Sequence, residues 1–170
     1  IDYNRVETDR PEFQGSLTPS PITGSPMLYF PAREFIMRLV KSTVVIFILI
    51  CIVIGIVIGI FVMRIIMCIS DDKNVAASAS IVASIVNAVQ IQVLNYIYGT
   101  VALWLNDYEN HRTDTGYENA LIAKTFIFQF VNSFASLFYI AFVKPYIPQF
   151  DTCRIGCMVE LQVALGTIFL

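Results

Sequence analysis

The charged stretch Asn106-Asp-Tyr-Glu-Asn-His-Arg-Thr-Asp-Thr-Gly-Tyr-Glu-Asn119 and the apolar run Ala120–Val143 behind it decide how this chain folds. Hydrophobic segments flank the charged stretch on both sides, and the run after it is long enough to cross a bilayer. Within that run, polar side chains recur at spacings of four, three and four residues, which places them on one helical face. These side chains are Thr125, Gln129, Asn132 and Ser136. One polar stripe on a membrane-length helix is typical of a segment that lines something wetter than lipid.

The composition indicates a membrane protein. Of the 170 residues, 56% are hydrophobic and 14% are charged, whereas soluble domains carry about 25% charged residues. This much apolar surface exceeds what one water-soluble core would bury. The net charge of −2 argues against a nucleic-acid partner, because nucleic acid requires a basic face.

Long apolar segments predict an all-α, polytopic helical membrane protein with three complete transmembrane helices and the start of a fourth. The clearest is Val44–Met63, which would form a helix about 30 Å long, the thickness of a bilayer core. Prolines in the lead-in predict turns without a regular element. The predicted order is a polar lead-in 1–40, a transmembrane helix 41–64, a short extracytoplasmic turn 65–74, a transmembrane helix 75–105, a cytosolic charged loop 106–119, a transmembrane helix 120–143, an extracytoplasmic loop 144–157 and the start of a truncated helix 158–170.

The distribution of basic residues predicts the orientation. The lead-in and the charged stretch carry slightly more of them than the opposite side, so the positive-inside rule places the charged stretch in the cytosol. Cys153 and Cys157 would then face the outside, where a disulfide between them is one alternative and free thiols are the other. Because the chain begins with Ile1 and stops at Leu170 inside an apolar run, we expect a piece of a larger polytopic protein.

The predicted helix 75–105 carries a second polar stripe, which covers an arc of roughly 140°. Interhelical hydrogen bonding is one explanation and a hydrophilic groove is the other. Two successive helices with polar stripes favour a shared aqueous surface. Lys124 and Lys144 flank the following span, where they would snorkel to the headgroups or form a positive rim for an anion or phosphate headgroup. The stripe consists of Ser80, Ser84, Asn87, Gln90 and Asn95.

The charged stretch also contains acids and a histidine, which raises the question of catalysis or metal binding. Catalysis requires carboxylates whose environments separate their pKa values, and nothing in the sequence indicates burial here. The stretch lacks the H-E-x-x-H and calcium-loop patterns. We therefore predict a solvated connection, no metal site in this chain and, because no nucleophile lies beside a base, no enzyme activity.

Two long motifs carry a family resemblance. They are Trp104-Leu-Asn-Asp-Tyr-Glu-Asn-His-Arg-Thr-Asp-Thr-Gly-Tyr-Glu118 and Lys124-Thr-Phe-Ile-Phe-Gln-Phe-Val-Asn-Ser133, the second continuing to Phe138-Tyr-Ile-Ala-Phe142. In them the chain resembles the anoctamins, the family of calcium-activated chloride channels and phospholipid scramblases. The resemblance implies that the three complete helices are the third, fourth and fifth of a ten-helix protomer, and that the protein is a homodimer with one groove in each protomer.

The resemblance also bears on calcium and selectivity. It places the family's calcium ligands on the sixth to eighth helices, beyond Leu170, so calcium is implied by the resemblance alone and no ligand is assigned in this chain. Gln129 stands where anion-selective members have a lysine, which favours a scramblase or a weakly selective channel.

The predicted function is passive transport of membrane lipids, chloride or other small ions along a groove lined by the two polar stripes. The alternative is a structural or tethering membrane protein, in which the stripes only join helices. An integral multi-pass membrane location follows in either case, and the sequence does not distinguish the plasma membrane from an endomembrane.

Overall fold

Three long helices dominate the fold. The structure, a computed structural model, describes residues 8–21, 24–69, 73–146 and 157–168. The three helices are α1 (Ala32–Ile69), α2 (Lys73–Glu109) and α3 (Asp114–Phe138). The helix α4 (Cys157–Ile168) follows in the described part of the chain. Among the described residues, three helices are long and apolar enough to cross a membrane. The predicted all-α polytopic fold is confirmed.

The lead-in contains a short β-hairpin, so the prediction that it would form only turns was wrong. Strand β1 (Ser16–Pro19) pairs antiparallel with β2 (Pro26–Tyr29). Pro19 ends β1 and Pro26 begins β2, where a missing N–H interrupts no ladder. Gly15 lies so close to β2 that a Cβ there would meet the Tyr29 carbonyl oxygen at 2.8 Å, and glycine permits this approach.

The helices extend beyond the predicted spans. Helix α1 begins at Ala32, ahead of the span 41–64, and α2 continues through Glu109. Backbone hydrogen bonds of a helix do not depend on side-chain polarity, so a helix continues past the apolar segment that marks its membrane part. The predicted loop 106–119 is therefore shorter in the structure, where only residues 110–113 separate α2 from α3.

Asn110 ends α2. Its φ of 58° lies in the left-handed region that closes many helices, and asparagine tolerates that region better than most residues. Its side chain also joins the lead-in, because Nδ2 donates to the Gln14 carbonyl at 2.8 Å and Oδ1 accepts from the Gln14 N–H at 3.0 Å. Thr113 directly precedes α3, and its Oγ1 accepts from the Gly116 N–H at 3.2 Å as an N-cap.

The chain divides into two compact units, Ile1–Phe47 with Gly99–Phe126 and Ile48–Tyr98 with Ile127–Leu170. In the first unit the lead-in docks on the α2–α3 connection. The Arg10 N–H donates to the Arg112 carbonyl at 2.9 Å, and the Arg10 guanidinium lies 3.7 Å from the Tyr117 ring centre. Asp9 accepts from Arg112 Nε at 2.6 Å. These contacts hold the lead-in beside the ends of both helices.

The first unit also contains a buried ionic cluster of Asn106, Glu109, His111 and Lys124. The Glu109 side chain is 0% exposed. Lys124 Nζ donates to Glu109 Oε2 at 2.5 Å and to Asn106 Oδ1 at 2.7 Å, and His111 Nε2 lies 2.7 Å from the same carboxylate oxygen. A buried charge is tolerated only with such partners, so the cluster joins the end of α2 to α3.

In the second unit the apolar core joins α1, α3 and α4. It is formed by Val57, Phe61, Leu137, Ile140 and Ala164. The Phe61 and Tyr139 rings stack with centroids 3.8 Å apart. After Phe138 the helix continues through one π-helical turn, Tyr139–Val143, and the Lys144 N–H donates to the Tyr139 carbonyl.

We expect the left-handed conformation at Asn110 to discriminate between two substitutions. Asn110→Gly and Asn110→Ala both lose the bonds to Gln14, but only alanine also meets the steric cost of a positive φ. The alanine variant should therefore be less stable than the glycine variant by about 1 kcal/mol. Unfolding free energies in detergent micelles would measure the difference, and equal values would contradict this account of the helix end.

The ionic cluster predicts a second stability effect. Lys124→Met leaves the Glu109 carboxylate buried without its cation and should cost about 3 kcal/mol of unfolding free energy. Adding Glu109→Gln removes the stranded charge and should recover part of that loss. A double-mutant cycle measures the coupling, and a double variant whose stability loss equals the sum of the two single losses would show that the charge pair is not coupled.

Candidate groove-lining face

In the second unit the two polar stripes meet in a set of hydrogen bonds between α2 and α3. Asn87 Nδ2 donates to Ser136 Oγ at 3.1 Å, and Gln90 Nε2 donates to Asn132 Oδ1 at 2.8 Å. Asn132 Nδ2 in turn donates to Asn95 Oδ1 at 2.9 Å. We call these five side chains the amide ladder. Sequence periodicity put each stripe on one helical face, and the structure turns the two faces toward each other.

Asn132 is the centre of the amide ladder. Its side chain is completely buried, and besides its bond to Asn95 it donates to the Ile91 carbonyl at 3.1 Å. A backbone carbonyl only accepts, so this bond fixes which end of the Asn132 amide carries the nitrogen. Asn132 Oδ1 must then accept, and Gln90 must present its nitrogen.

Two amide oxygens of the ladder remain without a partner among the described residues. They are Gln90 Oε1 and Asn87 Oδ1. Because Asn132 fixes the Gln90 orientation, exchanging the Gln90 nitrogen and oxygen would not satisfy that oxygen. Buried amide groups normally find a partner, so these oxygens, which only accept, are the places where a water, a cation or a headgroup donor would bind.

The other stripe residues differ in exposure. Gln129 is exposed, while Ser84 in the second unit and Thr125 in the first are half-buried. The Ser80 side chain lies outside the described part of the structure. None of these three described residues belongs to the ladder, and whether the stripes line a groove stays a prediction.

The two predicted rim lysines are both buried. Lys124 belongs to the ionic cluster, and Lys144 is 1% exposed at the end of the π-helical turn. A rim role for either stays a prediction.

Cys153 lies outside the described residues, and Cys157 begins α4 without a described side chain, so the disulfide between them also stays a prediction.

Sequence reasoning missed the Glu109–Lys124 pair, although a signal was present. From Asn87 onward, the buried positions on one face of α2 are separated by four, seven, four, three and four residues, and Glu109 is the last of them. Such a spacing marks the seam of packed helices. The seam comprises Asn87, Ile91, Tyr98, Ala102, Leu105 and Glu109.

The described residues contain no group of three or more His, Cys, Asp or Glu side chains that could hold a metal ion. The ionic cluster contributes a single carboxylate, whose Oε2 contacts Lys124 and His111. We therefore assign no metal ligand to this part of the chain.

Comparison with known proteins agrees with the motifs. The model of a family described as "Anoctamin: Calcium-activated chloride channel" matches residues 1–170. Human anoctamin-7 is 41% identical over 155 residues, which cover 84% of this chain and 17% of that protein. Human anoctamin-8 is 35% identical over 139 residues, covering 81% and 11%. Human anoctamin-3 is 33% identical over 190 residues, covering 95% and 19%.

The chain thus spans less than a fifth of the length of these curated relatives. The similarity nevertheless runs through the whole chain, and it includes both motifs quoted from the sequence. With three helices able to cross a membrane, the chain is an integral, multi-pass membrane protein and belongs to the anoctamin family.

Proposed function

We propose that this chain forms one wall of a passive transport pathway for phospholipids, for chloride and other small ions, or for both. The observation that supports the proposal is the amide ladder, which places uncharged polar groups along two membrane-length helices and leaves two amide oxygens unused. The matched family model names a calcium-activated chloride channel, which supports the same class of function.

Amides suit such a wall physically. A headgroup or ion that enters the membrane loses hydration, and hydrogen-bonding side chains replace part of it and lower the barrier. Lipid tails would remain in the bilayer. The process forms and breaks no covalent bond, so the proposal assigns no enzymatic role.

Calcium activation and homodimer formation are also part of the proposal. Their support is family membership, since the described residues supply no calcium ligand. The acidic and amide ligands would come from other helices of the protein. On this proposal the chain responds to calcium only through the helices that bind it.

A structural or tethering role is the second candidate, and the ladder itself favours it in one respect. Each ladder side chain makes at least one hydrogen bond to the facing helix. Such bonds are a common means of joining helices in membranes. On that reading the stripes stabilise the bundle and no substrate touches them.

Lipid flip in proteoliposomes would separate the two functions. The full-length protein would be reconstituted with fluorescent phospholipids, and an impermeant reductant would report the accessible fraction with and without calcium. Calcium-stimulated flip or current supports transport. A folded protein that shows neither lipid flip nor current would contradict the transport proposal and leave the structural role.

Gln90 offers a sharper test, because one of its amide groups is unused. Gln90→Met keeps the side-chain length and removes the polar end. If the amide serves transport, we expect the flip rate to fall about fivefold, the effect of a barrier higher by about 1 kcal/mol. Gln92→Met is the matched control, since Gln92 is exposed on the same helix and outside the ladder. Equal flip rates in the two variants would contradict a transport role for Gln90.

Gln129 provides a prediction about selectivity. Its side chain is exposed on α3, so Gln129→Lys adds a positive charge without displacing packed side chains. Anions should then permeate better relative to cations, which a shift of reversal potential under a salt gradient would measure. Gln92→Lys is the control for a charge off the stripe. A reversal potential unchanged by Gln129→Lys would remove this residue from the pathway.

A further inference from the structure

We propose that Trp104, Tyr108 and Arg38 form an anchor that binds the phospholipid headgroup region of one leaflet and fixes the depth of the first unit. This goes beyond transport, because it concerns the lipids around the protein rather than a substrate. The anchor is defined by these three side chains. It binds the bilayer at the level where the lipid phosphates meet the acyl chains.

Trp104 and Tyr108 lie one turn apart on the outer face of α2. Their rings stack with centroids 6.2 Å apart and an angle of 19° between planes. Trp104 is 65% exposed, which is a large exposed aromatic area for a side chain with one polar N–H. Tryptophan and tyrosine favour the membrane interface because one part of each ring is apolar and the other hydrogen-bonds.

Arg38 brings a positive charge from α1 to the same level. Its Nη1 donates to the Tyr108 carbonyl at 3.1 Å. Its guanidinium lies 5.4 Å from the Tyr108 ring centre and 4.9 Å from that of Phe30. The side chain is only half-buried, so the guanidinium is held in place beside the aromatic pair and complements phosphate.

The exposed surface of all three helices changes character at this level. On α1, Lys41 is the last exposed charged residue, three residues after Arg38, and Val44 and Phe47 are exposed beyond it. On α2, Leu103 is exposed on one side of Trp104 and Asp107 on the other. On α3 the exposed residues pass from Glu118 and Asn119 to Ile122 and Phe126.

The coincidence of three polarity changes with one aromatic pair identifies the partner as lipid. A protein partner would require no such common boundary on separate helices, whereas a bilayer imposes one plane on all of them.

The depth of Trp104 also determines where the ionic cluster lies. Glu109 lies five residues beyond Trp104, so it stands about 7.5 Å toward water along α2.

Depth-dependent quenching tests the anchor. Trp104 is the only tryptophan of this chain, and subtracting the emission of Trp104→Phe isolates its signal in the full-length protein. Phosphatidylcholine vesicles would carry nitroxide on the headgroup, on acyl carbon 5 or on acyl carbon 12. We expect the headgroup and carbon-5 labels to quench Trp104 most strongly.

A second tryptophan provides the deep reference. Phe47 is 66% exposed and lies nine residues past Arg38, about 13 Å along α1. In the Trp104→Phe background, Phe47→Trp should be quenched most by the carbon-12 label. The proposal is overturned if the carbon-12 label quenches Trp104 most, if only aqueous iodide quenches it, or if no quencher reaches it.

Discussion

The absence of water from the bilayer interior is the constraint on which this structure depends. A polar side chain on a membrane helix needs a partner other than bulk water, and α2 and α3 supply most of these partners to each other. Asn132 makes the constraint visible, because its buried amide uses both hydrogens and its oxygen. The same bonds hold the helices in register, so the polar residues that would serve transport also determine how the helices pack.

Much of the fold follows from periodicity and hydropathy. A repeat of four, three and four residues was enough to place Asn132 and Ser136 on one face, because helical geometry depends only on spacing. It did not reveal that this face meets the stripe of α2 directly. That outcome depends on how two helices pack, and a single-helix pattern contains no information about the partner.

The errors have physical causes of their own. Glu109 was interpreted as solvated because it stands in a charged stretch, yet the helix continues through that stretch and carries the carboxylate onto the buried seam. Proline content predicts interrupted elements in the lead-in, yet Pro19 and Pro26 stand at strand ends, where they leave the hairpin intact. In both cases the position of the residue within its helix or strand, and not the composition around it, determined its structural role.

The π-helical turn at Tyr139–Val143 changes what a helical wheel can say about the end of the third span. Each π turn accommodates one residue more than an α turn, so everything beyond it is rotated by about 100° relative to an uninterrupted helix. The orientation of Lys144 is thereby uncoupled from that of Asn132 and Ser136. The helix therefore presents one face before the π turn and a differently oriented face after it. Lys144, which follows the π turn, is buried without disturbing the face that carries Asn132 and Ser136.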